Sequence, residues 1–124
     1  MPASTLRLVV LISGGGTNLQ SILDAITQQT LDAEVVAVIS NRAKAGGLER
    51  ARRHGVPAIH IERSGFSSRT RFDSALADEI MRYQPDIIVL AGFMHVLGAE
   101  FVNAFAGKIV NIHPSLLPKF RGLD

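Results

Sequence analysis

Apolar residues along the chain fall into two kinds of pattern. Some gather in short dense runs, and others recur every three or four positions between those runs. Leu6 to Ile12 (L-R-L-V-V-L-I) is rich in valine and isoleucine and bounded by Gly14, so it reads as a buried strand. Glu34 to Ser40 and Asp86 to Ala91 are strands of the same kind, and Pro57 to Ile61 and Lys108 to Ile112 are shorter ones. Thr17 to Gln28 places Leu19, Ile22, Leu23 and Ile26 on one helical face. Leu48 to His54 reads as a short basic helix, stopped by Gly55 just past its end. Arg69 to Tyr83 aligns Phe72, Leu76, Ile80 and Tyr83 before Pro85 breaks the helix, and Gly98 to Phe105 is a short helix. Strands separated by helices of this length imply right-handed crossovers. The expected fold is therefore α/β, a Rossmann-like, mostly parallel sheet with helices on both faces.

Composition narrows the class. A chain of 124 residues, 47% hydrophobic and 19% charged, is expected to form one domain spanning residues 1–124 with a real core. The absence of cysteine excludes disulfides, thiolate metal sites and cysteine nucleophiles. Thirteen basic against eleven acidic residues give a formal charge of +2, too small and too scattered for a nucleic-acid surface. No stretch offers 20 consecutive apolar residues for a membrane span, and residues 1–8 lack the apolar core of a signal peptide. A cytoplasmic protein is expected. The chain closes on P-S-L-L-P-K-F-R-G-L-D with no helix to complete the last crossover, so the domain is expected to be incomplete. An exposed sheet edge and uncovered apolar surface then favour self-association, a homodimer among the outcomes.

In parallel sheets of this kind ligands bind beyond the carboxyl ends of the strands. Four segments lie there: Ser13 to Asn18, Asn41 to Lys44, Gly92 to Leu97 and Asn111 to Pro118. The first, S-G-G-G-T-N, lets the backbone approach a ligand closely and leads into a helix whose first N–H groups are unpaired, a setting suited to phosphate. It lacks the lysine of a P-loop, and Leu19 stands where a dinucleotide fingerprint needs glycine. A plain tight turn with Thr17 capping the helix is the competing reading. In Asn111-Ile112-His113, residues i and i+2 project together. The Asn111 amide can hold an oxyanion, and the His113 imidazole can exchange protons near neutrality. That pair suits acyl-type transfer to an amine, against a bland reading as a capped strand end. Phe93, Met94, Val96 and Leu97 around His95 could flank a flat heteroaromatic ligand or simply close the core beneath. His54, His60 and the cluster Arg50, Arg52 and Arg53 read as solvated, and neither a Ser/His/Asp triad nor metal-ligand spacing is convincing.

Taken together, V-V-L-I-S-G-G-G-T-N-L-Q, S-N-R-A-K-A-G-G-L-E-R-A, P-D-I-I-V-L-A-G-F-M and I-V-N-I-H-P-S-L-L-P-K-F resemble the formyltransferase superfamily. Within it they resemble the phosphoribosylglycinamide formyltransferases, folate-dependent enzymes of purine synthesis. The resemblance runs from about Leu6 to Leu123. It implies the formyltransferase fold and transfer of a formyl group from the co-substrate 10-formyltetrahydrofolate to the amine of glycinamide ribonucleotide. Both partners are small molecules, and neither a metal, a nucleic acid nor a membrane is implied. Residue by residue, Gly16, Thr17 and Asn18 match the loop that holds the ribonucleotide phosphate. Met94, His95, Val96 and Leu97 match the segment around the pterin, and Arg69 matches an arginine near the folate. Asn111 matches the asparagine that polarises the formyl oxygen, and His113 the general acid. Position 95 departs from a pattern in which arginine is common. The family chain also continues beyond Asp124 and includes an aspartate that partners the histidine, so this chain is expected to be the N-terminal, nucleotide-binding part. The rival readings are a formyltetrahydrofolate deformylase and a catalytically inactive nucleotide-binding fragment. A dehydrogenase is disfavoured, since no acidic residue ends the second strand at Ser40-Asn41.

Overall fold

The computed structural model describes residues 5–112. In chain order the elements are β1 (Leu6–Ile12), α1 (Thr17–Thr27), β2 (Ala33–Ser40), α2 (Gly46–Arg53), β3 (Ala58–His60), α3 (Arg69–Arg82), β4 (Ile87–Ala91), α4 (Ala99–Ala104) and β5 (Ile109–Ile112). A short 3-10 turn at Arg63–Gly65, which the sequence pattern does not announce, precedes α3. The strands form one sheet in the order β3-β2-β1-β4-β5, and every pairing is parallel. The expected α/β architecture is therefore present, with element boundaries within two residues of those read from the pattern.

Alternation along β1 shows why helices cover both faces. Leu8, Val10 and Ile12 join a cluster with Leu19, Ile22 and Leu23 of α1 and Leu48 and Ala51 of α2. Val9 and Leu11 point the other way, into a cluster with Phe72, Leu76 and Ile80 of α3 and Phe101 and Phe105 beside α4. A strand buried on both faces needs a near-continuous apolar run, which β1, β2 and β4 have. The register between β1 and β2 slips at Leu8/Val9, where Val36 is the extra residue. Val36 and Ala37 consequently face the same cluster, although they are neighbours on one strand.

Helix ends follow local chemistry. The hydroxyl of Ser68 accepts the Arg71 N–H at 3.1 Å and caps α3. At the other end of α3, Gln84 takes a positive φ of 49°. There the Arg7 guanidinium donates to the carbonyls of Tyr83 at 2.6 Å and Gln84 at 3.1 Å, a cation on the negative end of the helix. Gly55, at φ 72°, follows α2 as its position predicts. The start of α2 differs from expectation: it begins at Gly46 rather than Leu48, because Gly46 and Gly47 form the first turn pressed against the loop after β1.

Candidate functional site

The sheet order reverses direction between β1 and β4. Crossovers from β1 lead outward through β2 to β3 on one side, and β4 and β5 add on the other. The loops after β1 and β4 leave the sheet at this switch point, where sheets of this kind hold their ligand crevice.

Ser13 is the hub of the crevice. It follows β1 directly and is buried. Its hydroxyl donates to Asn41 Oδ1 at 2.7 Å and accepts the Met94 N–H at 2.7 Å. One side chain therefore ties together the carboxyl ends of β1, β2 and β4. Asn41 is set by Ser40, whose buried hydroxyl accepts the Arg42 N–H at 2.9 Å and donates to the Arg42 carbonyl at 2.8 Å, closing a tight turn.

The glycine-rich loop divides into two functions. Gly14 and Gly15 are exposed, and a Cβ at either would meet nothing within 4 Å. Gly16 is different: φ is 83°, and a Cβ there would lie 2.6 Å from the Gly47 Cα. Its role is close packing of the loop on α2, which the Gly47 N–H reinforces by donating to the Gly14 carbonyl at 3.1 Å. Gly16 is also the N-cap of α1 and offers no side-chain acceptor, so Thr17 is the first helical residue and not a cap. The first N–H groups of α1 therefore receive no side-chain cap, the arrangement that serves an anion. Thr17 is exposed beside them and Asn18 is buried.

Arg50 corrects the expectation of a solvated basic face. Its Nε–H donates to the Gly15 carbonyl at 2.7 Å and its Nη1 to Gln20 Oε1 at 3.0 Å, so it braces the glycine loop against α2. Arg52 and Arg53 are solvated as expected and pair only with Glu49. His54 is exposed, and His60 bonds Glu62 Oε1 at 2.9 Å at the surface.

Residues 93–97 form an irregular segment after Gly92, which has φ 76°. Phe93 and Leu97 pack against the α3 and α4 cluster, while the Met94 and Val96 side chains are 71% and 72% exposed. His95 also turns inward. Its Nε2 lies 2.7 Å from Asp73 Oδ1, and its ring meets Phe72 and Phe93 edge-on at 4.7 and 5.9 Å. Asp73 Oδ2 accepts the Gly98 N–H at 2.8 Å. Arg69, the first residue of α3, is exposed one turn before Asp73. Both residues line an open groove of about 500 Å³ between α3 and α4.

Asn111 stands on β5 opposite Leu90, beside the strand that leads into this segment, and is exposed. Ile112 packs against the first cluster, so Asn111 projects to the other side of the strand, as the alternation predicts. His113, and with it the segment through Pro118, lies outside the described residues. At the carboxyl ends of the strands stand Gly16, Thr17 and Asn18 after β1, Met94 and Val96 after β4, and Asn111 on β5. Asp73 and Arg50 were not legible as site residues, and Ser13 and Asn41 only as members of the segments that follow β1 and β2. Asp73 alone left a trace, as a charge on the apolar stripe of Phe72, Leu76 and Ile80.

Comparison with known proteins places this geometry in a family. Residues 6–124 match the family described as formyl transferase. The chain is 51% identical over 118 residues to phosphoribosylglycinamide formyltransferase of Escherichia coli (strain K12), covering 95% of this chain and 56% of that protein. It is 48% identical over 118 residues to the Haemophilus influenzae protein of the same name, with the same coverage. Among solved structures, phosphoribosylglycinamide formyltransferase from Coxiella burnetii superposes with a TM-score of 0.86 at 54% identity, covering 94% of this chain and 55% of that one. The chain spans about half the length of the relatives it matches. With its family match extending from Leu6 to the last residue, and the sheet and crevice built as described, the chain belongs to the formyl transferase family.

Proposed function

We propose that this chain carries the nucleotide-binding part of a phosphoribosylglycinamide formyltransferase. In this reading the first turn of α1, with Gly16, Thr17 and Asn18, receives the phosphate of glycinamide ribonucleotide. The segment Met94 to Leu97 receives the pterin of 10-formyltetrahydrofolate, through its backbone and the exposed Met94 and Val96, with Arg69 nearby at the start of α3. The observation that carries the reading is the Ser13 hydroxyl, which holds the glycine loop and the apolar segment on either side of one switch point. Two ligands bound there would meet over β1 and β4, with Asn111 at their junction.

The chemistry is direct transfer. The ribonucleotide amine attacks the formyl carbon, and a new N–C bond forms as the carbonyl becomes an oxyanion. The Asn111 amide N–H donates to that oxyanion, where charge develops. The C–N bond to the folate then breaks, and tetrahydrofolate leaves with the proton that the amine lost. His113, two residues beyond Asn111, is assigned the transfer of that proton. Holding both reactants in one crevice removes much of the entropic cost of a bimolecular step. A small-molecule reaction of this kind needs no membrane, and no helix among the described residues is long and apolar enough to cross one. We assign it to the cytoplasm.

The test is to incubate the chain with 10-formyltetrahydrofolate, with and without glycinamide ribonucleotide, and follow the folate absorbance. Loss of the formyl group only when the ribonucleotide is present is the expected result. Loss without it would assign water as the acceptor, making the protein a deformylase. Binding of the ribonucleotide with no loss in either case would leave a nucleotide-binding module.

A further inference from the structure

Asp73 is one of only four buried polar residues among those described, the others being Ser13, Asn18 and Ser40. It sits on the apolar face of α3 beside Phe72 and Leu76. A carboxylate in that position is unfavourable unless both oxygens are satisfied. Both are satisfied, and by a single loop: Oδ1 by His95 Nε2 at 2.7 Å and Oδ2 by the Gly98 N–H at 2.8 Å. A carboxylate accepts only, so the histidine Nε2–H donates. The side chains of His95 and Asp73 are 8% and 10% exposed. A Cβ at Gly98 would lie 3.1 Å from Asp73 Oδ2, so the loop backbone fits closely over the carboxylate.

With the Met94 N–H held by Ser13, the segment is fixed at Met94, His95 and Gly98. The side chains between these anchors remain outside. Met94 and Val96 are 71% and 72% exposed, although Phe93 and Leu97 on either side pack inward. Two large apolar side chains held outward on an anchored backbone make a preformed rim for a flat apolar ligand. Ordering the rim before the ligand arrives removes that cost from binding.

We propose that Asp73 is a positioning residue for the folate co-substrate: acting through His95 and Gly98, it holds Met94 and Val96 in place to receive the pterin. This rests on the reading of that segment as the pterin site. Asp73 itself touches no ligand.

The test compares Asp73→Ala, Asp73→Asn and His95→Ala with the unaltered chain in two measurements. Amide hydrogen exchange reads the loop, and equilibrium binding of tetrahydrofolate and, separately, of glycinamide ribonucleotide reads the site. In Asp73→Ala, the Gly98 amide is expected to exchange at least tenfold faster while the β1 amides keep their protection. The tetrahydrofolate Kd is expected to rise about tenfold, while ribonucleotide binding changes less than twofold. Asp73→Asn, which keeps an acceptor for Gly98, is expected to recover most of the folate affinity. His95→Ala is expected to weaken folate selectively, and it decides the matter if Asp73→Ala does not fold. Unchanged folate affinity in the variants that fold overturns the proposal, as does equal loss for both ligands, which marks a merely structural role. If the unaltered chain itself fails to bind tetrahydrofolate, the reading of the segment fails and the positioning role fails with it.

Discussion

Gly16 meets two demands that no other residue meets together. Its φ of 83° is one that side chains rarely adopt, and the Gly47 backbone occupies the place a Cβ would take. Gly16→Ala is therefore expected to destabilise the fold by about 1–3 kcal/mol, lowering Tm by roughly 4–8 °C for each kcal/mol. Gly14→Ala, with open space around it, should stay within about 0.5 kcal/mol. Thermal unfolding of the two variants separates packing from ligand approach in one loop, and equal losses would contradict the division. For the chemistry, Asn111→Ala is expected to slow formyl transfer by about 10²–10³-fold, or roughly 3 kcal/mol, the loss typical of a missing oxyanion donor. Turnover unchanged in that variant would remove Asn111 from the mechanism. At this scale the sequence was partly legible. The positions of the glycine loop and the Met94–Leu97 segment after strands, and of Asn111 at the end of one, could be read from the pattern. Arg50 does not, because helical spacing alone cannot tell that α2 lies against the glycine loop, where a guanidinium finds the Gly15 carbonyl. Ser13 reads only as the first residue of a turn until its two partners, distant in sequence, are in place.

Elements were more legible than single residues. The run L-R-L-V-V-L-I gave β1 its boundaries without adjustment, because after Arg7 a strand buried on both faces is apolar without a break. The apolar stripe of α3 likewise identified Phe72, Leu76 and Ile80, which are fully buried. Phe72 meets the rings of Phe66 and His95 edge-on, at 5.8 and 4.7 Å, and so joins the core to the segment after β4. Phe72→Ala is expected to cost about 3–5 kcal/mol, a large share of the 5–15 kcal/mol that stabilises an ordinary domain. Chemical denaturation checks it, and a loss below about 1 kcal/mol would mean the cavity is readily filled. The start of α2 escaped the pattern because glycines are poor helix formers, and Gly46 and Gly47 are helical here only through their packing on the loop after β1. The bulge at Val36 escaped it too, since an extra residue in an apolar run leaves no mark on composition.

At the scale of the molecule, alternating strands and helices predicted a parallel sheet, and right-handed crossovers leave few ways to order it. The order β3-β2-β1-β4-β5 puts the switch point where the loops after β1 and β4 leave the sheet. It also sets the glycine loop and the Met94 segment close enough to share the Ser13 hydroxyl. In the proposed function one crevice takes both ligands there. Nuclear magnetic resonance of the isotopically labelled chain, titrated with glycinamide ribonucleotide and then with tetrahydrofolate, tests it most directly. The ribonucleotide is expected to shift the amides of Gly14 to Asn18, the folate those of Gly92 to Gly98, and Ser13 is expected to respond to both. Shifts confined to the groove between α3 and α4, with Ser13 silent, would contradict it.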